Sequence, residues 1–131
     1  ITDDTMRDPW SNVAGLDIAF GWGPVASPTV LRAMQFHLKR RYVSVRWNGA
    51  MPLGQHEVMH HLANHHLIAA DADVAARLAT IRPGDLVTLT GDLVDLKVRG
   101  QTMRTSLSRK DTGNGACEVM YVERATVSRA E

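Results

Sequence analysis

From Leu86 to Val98 the chain reads as one long strand whose apolar face changes sides partway along. Val87, Leu89 and Leu93 form a first inward set, and Val94, Leu96 and Val98 a second. Successive side chains of a strand point to opposite faces, so this change of parity needs an extra residue or a bend. Gly91 suits either, and a bulge near it would bend the strand around a small barrel. Thr102 to Ser108 reads as a second strand across Arg99-Gly100, and Ala116 to Val127 as a third after a glycine-rich loop.

The upstream half carries weaker signals. Leu16 to Phe20 reads as a short strand closed by Gly21-Trp22-Gly23-Pro24. Residues 42 to 48 alternate, with Val43, Val45 and Trp47 on one face and Tyr42, Ser44 and Arg46 on the other, until Gly49-Ala50-Met51-Pro52 ends the run. The stretch 71 to 81 has helical spacing: Asp71 is the N-cap, Asp73 lies in the first turn, and Val74, Leu78 and Ile81 share a face. Arg82-Pro83-Gly84-Asp85 then stops it. The expectation is a mainly β fold with one or two short helices, arranged as an OB-like small barrel. An α+β fold with an antiparallel sheet is the rival.

With 131 residues, 44% hydrophobic content and five prolines, the chain can bury one core, so 1–131 reads as a single domain with 1–14 as an extended N-terminal arm. Fifteen basic and fourteen acidic residues leave a net charge of +1, which gives no drive toward nucleic acid or an anionic membrane. The basic run Lys39-Arg40-Arg41, with Arg46 beyond, reads as a solvated strand face. Single-strand binding on an OB-like face would need Tyr42, Trp47 or Tyr121 exposed beside that run, and 5% aromatic content counts against it.

Chemistry concentrates between His56 and His66, which holds five of the six histidines: His56, His60, His61, His65 and His66. On a helix His56 and His60 would share a face, so two imidazoles could bind Zn²⁺ while Glu57 serves as general base, as in a zinc hydrolase. His66 has the spacing of a third ligand, but Ala63 stands where the longer motif has glycine, and Asn64 could end the helix instead. His61 and His65 would face elsewhere, so the five cannot serve one ion. Most of the strand signal follows the histidines, whereas zinc peptidases of the long-motif type build most of their sheet before them.

Other constellations are weaker. Asp111-Thr112-Gly113 spells an aspartic-protease triplet, but one copy in a polar turn reads as a capped loop. Ser106 or Cys117 with a nearby histidine could supply a nucleophile and base, yet no nucleophile elbow surrounds either. The single cysteine allows no internal disulfide and reads as a small apolar residue of a central strand. No stretch approaches the ~18 apolar residues of a membrane span, and no signal peptide is visible. A start at Ile1 fits both a shortened chain and a mature form without its leader or anchor.

Three segments carry a resemblance: Asp17-Ile18-Ala19-Phe20-Gly21-Trp22-Gly23-Pro24, His61-Leu62-Ala63-Asn64-His65-His66-Leu67-Ile68, and Ser106 through Glu118. They resemble an uncharacterised bacterial family with a GWG turn, an ANMHLI-like segment and an SSLTRxDTGxGACE-like ending, over most of residues 15 to 124. Its members often carry an N-terminal membrane anchor, which implies the soluble part of a cell-envelope protein. The family pattern does not demand His56 or Glu57, and His65 stands where it has methionine. The resemblance implies a shared polar site of His61, Asn64, His66, Arg109, Asp111 and Glu118, whose donors and acceptors suit a polar ligand or a buried network.

These readings converge on a binding or accessory module for an unknown polar ligand or protein partner. The zinc hydrolase, with His56, His60 and His66 as ligands and Glu57 as base, is the alternative, and single-stranded nucleic-acid binding the third.

Overall fold

The computed structural model describes residues 16–39, 42–50, 53–108 and 117–129. The expected arm at 1–14, Arg109 and Asp111 lie outside them. Among the described residues the α-helices and strands follow in order: β1 (Leu16–Gly21), α1 (Pro28–Ala33), β2 (Met34–Lys39), β3 (Tyr42–Trp47), α2 (Gln55–His60), β4 (Leu62–Ala69), α3 (Ala72–Leu78), β5 (Leu86–Leu93), β6 (Leu96–Val98), β7 (Gln101–Met103) and β8 (Glu118–Ser128), with a short 3-10 helix at Gly23–Ala26 before α1.

Local chemistry accounts for several boundaries. The Asp71 carboxylate accepts from the Val74 N–H at 2.8 Å, satisfying one of the first-turn donors of α3, while Val74 and Leu78 turn inward. After α3 the Asp85 N–H donates to the Arg82 carbonyl at 3.0 Å and Gly84 takes φ +90°, so the chain reverses where the Pro-Gly pair predicts. A proline opens α1, where a missing N–H costs nothing.

Four strands make one mixed sheet in the order β1-β4-β8-β5. β1 runs antiparallel to β4, β4 parallel to β8, and β5 antiparallel to β8. Two hairpins, β2–β3 and β6–β7, stand as separate two-stranded sheets. The fold is therefore mainly β with short helices, and among the described residues no barrel closes, because the outer strands β1 and β5 do not meet. The pairing is also not wholly antiparallel, since β4 and β8 run the same way.

The core lies on both faces. On one, α3 covers Ile18, Leu67, Val122 and Ala125 with Val74 and Leu78. On the other, α1, α2 and the β2–β3 hairpin bring Val30, Met34 and Val58 against Val25 and Leu62. Fully burying such a side chain contributes roughly 1.5–3 kcal/mol. Because Leu62 and Leu67 face opposite sides, the alternation of β4 puts His65 on the α3 side and Asn64 and His66 on the other.

A bulge does lie at Gly91, but its extra residue is on the partner strand and not on β5, whose alternation runs unbroken from Val87 to Gly91. Thr90 pairs with Arg124 and Gly91 with Val122, so the extra residue is Glu123, on β8. A Cβ on Gly91 would lie 1.9 Å from the Tyr121 carbonyl oxygen, a close backbone approach that only glycine permits. The long strand read from Leu86 to Val98 breaks after Leu93, and the one read from Thr102 to Ser108 is strand over Gln101–Met103 alone. Leu93, expected inward, is 40% exposed because it ends β5 at the sheet margin.

Candidate functional site

The histidine-rich run is divided among a helix, a turn and a strand. α2 ends at His60, His61 forms the turn, and the chain enters β4 at Leu62. His56 and His60 share one face of α2, with ring centroids 5.9 Å apart. His66 does not join them as a third metal ligand. It lies on β4 opposite Asp17 of β1, and its Nδ1 contacts the Asp17 carboxylate with both side chains buried. Glu57, the expected base, is exposed in the first turn of α2. Among the described residues no group of three or more His, Cys, Asp or Glu side chains could hold a metal ion.

The expected ligand set is also distributed. Glu118 opens β8 in register with His65, and their side chains meet at 2.5 Å between Nε2 and Oε2, buried on the α3 face. Asn64 and His66 occupy the opposite face. The sheet thus holds two buried histidine–carboxylate pairs, from adjacent residues of β4, one on each side. Asp17 and His65 were not part of the site expected from sequence. The available signal was a charged residue inside a strand pattern at Asp17, since buried polar groups in native structures have partners.

His65 is held at both nitrogens. Nδ1 lies 3.1 Å from the Ala63 carbonyl oxygen, which can only accept, so Nδ1 carries a proton and Nε2 faces Glu118. Phe20 meets this ring edge-on at 5.1 Å and Trp22 at 6.3 Å.

His61 joins the same corner from the turn. Its Nδ1–H donates to the Glu57 carbonyl at 2.7 Å, and its own carbonyl accepts from the Trp22 N–H at 3.0 Å. Gly23 adopts φ +54°, and a Cβ there would lie 3.1 Å from His61 Cδ2, so the glycine both makes the turn and admits the imidazole. Trp22 tilts against His61 with centroids 6.4 Å apart. Phe20, Trp22 and His61 are each half-buried, so this aromatic corner reaches solvent above the buried His65–Glu118 pair.

The remaining candidates are dispersed. Ser106 is buried, its N–H donating to the Cys117 carbonyl at 3.0 Å, and the Thr105 hydroxyl accepts from the Val119 N–H at 3.0 Å. These bonds fasten residues 105 and 106 beside the start of β8. Cys117 is half-buried just before that strand. Of the aromatics considered for base stacking, Trp47 and Tyr121 are exposed but belong to different sheets. No described helix is long and apolar enough to cross a membrane.

What this arrangement offers chemically is a partly open aromatic corner with imidazole and carboxylate beneath it, a combination suited to holding a small polar molecule. The chain matches no protein-family model, no curated protein and no solved structure.

Proposed function

We propose that the chain is a binding or accessory module, without a reaction of its own, that takes a small polar ligand at the corner formed by Phe20, Trp22 and His61. The observation that carries this reading is the partly exposed ring cluster packed on the buried His65–Glu118 pair. Ligand sites of this kind combine apolar ring faces with a few well-held polar groups. Here the GWG turn fixes the rings, and hydrogen bonds fix the imidazoles. His61 and Glu118 of the expected ligand set stay in the proposal, whereas Asn64 and His66 serve the opposite face. The resemblance to an often membrane-anchored bacterial family supports placing the module in the cell envelope, as the soluble part of its protein.

The test is a thermal-shift and fluorescence screen of sugars, amino acids, short peptides and nucleotides against wild type and Trp22→Phe. A ligand that raises the melting temperature of wild type, and whose fluorescence response disappears in Trp22→Phe, supports the site. A ligand acting equally on both proteins would place binding elsewhere, and no response across the screen would count against a small-molecule module.

A further inference from the structure

We propose that His56 and His60 form a two-point chelate for a late first-row divalent cation, such as Zn²⁺, Ni²⁺ or Cu²⁺, on the outer face of α2. The site uses none of the residues of the ligand corner and goes beyond that reading. Val58, 2% exposed, is the inward anchor of this short helix. At about 100° per residue it stands on the side opposite His56 and His60. Burying Val58 therefore turns the histidine pair outward, and His56 is exposed and His60 half-buried.

The separation is close to what a shared ion needs. Two imidazole nitrogens about 2.0–2.1 Å from one tetrahedral ion place their ring centroids roughly 5 Å apart. The observed centroids are 5.9 Å apart at an interplanar angle of 64°, a difference that modest side-chain rotation closes. The donor set then selects the ion. Neutral imidazole suits Zn²⁺, Ni²⁺ and Cu²⁺, with Cu²⁺ held tightest, whereas Mg²⁺ and Ca²⁺ prefer oxygen ligands. Because no third side chain joins the pair among the described residues, the other coordination positions fall to water or to a donor from another molecule. The result is an open, exchangeable site rather than a structural one.

The experiment is calorimetric titration of untagged, chelator-stripped protein with Zn²⁺, Cu²⁺ and Mg²⁺, using wild type, His56→Ala, His60→Ala and the double variant. Wild type is expected to bind about one Cu²⁺ or Zn²⁺ per chain and no Mg²⁺. Altering even an outer partner of a metal ligand costs about 10- to 100-fold in affinity, so each single variant should weaken binding at least that much, and the double variant should not bind. Metal-free melting temperatures of the variants should match wild type, since the pair faces outward. As a check independent of any variant, Zn²⁺ should shift the imidazole proton signals of two histidines in wild type. Absence of binding by wild type, or undiminished binding by the double variant, overturns the proposal.

Discussion

His65 and His66 are neighbours in sequence, yet each takes a carboxylate from a different strand on a different side of the sheet. Removing one partner of a buried pair typically costs about 3–5 kcal/mol, because the other is left in a poor solvent. Asp17→Ala and Glu118→Ala are each expected to lose about that much, read from urea unfolding midpoints. Arg129, 51% exposed, is the milder case: it meets an Asp85 carboxylate that is 4% exposed but also accepts from the Arg82 N–H, so Arg129→Ala should cost less than either buried-pair variant. Glu118→Gln separates hydrogen bonding from charge. With the Nδ1 proton directed at Ala63, the ring presents Nε2 to position 118, where a glutamine amide can donate to it. Its cost should be near the ~1 kcal/mol of an ordinary hydrogen bond, and a loss equal to that of Glu118→Ala would refute this account. The sequence marked His66 and Glu118 as polar candidates but not their partners. Asp17 lies 49 residues from His66, and only the register of β1 against β4 brings them together.

At the scale of elements, what was legible followed from local rules. Asp71 and the spacing of Val74 and Leu78 define α3, and Gly91 marks the place of the bulge, whereas the change of apolar parity falls between Leu93 and Val94, where β5 ends. β4 was hidden for a physical reason. It is buried on both faces, as strands with parallel neighbours usually are, so it lacks the alternation by which β3 could be read. Its histidines also follow directly on a helical pair, which draws the eye toward one continuous helix. The bulge offers the sharpest test at this scale. Gly91→Ala sets a methyl group against the Tyr121 carbonyl, and relief requires the β5–β8 pairing to shift. Overpacking of this kind costs about 1–3 kcal/mol, so a lowered urea midpoint is expected. Wild-type stability would mean that the backbones do not approach so closely.

For the molecule as a whole, the order of strands was the part that local pattern could not supply. A bulge bends one strand, but barrel closure depends on whether the outermost strands meet, and β1 and β5 stay at opposite margins of the sheet. This arrangement predicts a gradient of stability. β4 and β8 are paired along both edges, and Leu67, Val119 and Val122 on them are almost wholly buried. β6 and β7 pair over three residues each, as a sheet of their own. Amides in the interior of a sheet open only with much of the fold, whereas a short detached hairpin opens locally at small cost. Native-state hydrogen exchange should therefore find the slowest amides in Leu67–Ala69 and Val119–Val122, and exchange faster by orders of magnitude in Leu96–Met103. The aromatic corner bridges these regimes: Trp22 and His61 are joined through backbone to a turn, while His65 sits on the slow strand. A ligand seated there should raise protection in the turn residues 21–23 and 61 and leave the β6–β7 hairpin unchanged. Protection that rose equally in the hairpin would show that binding tightens the whole fold rather than that corner.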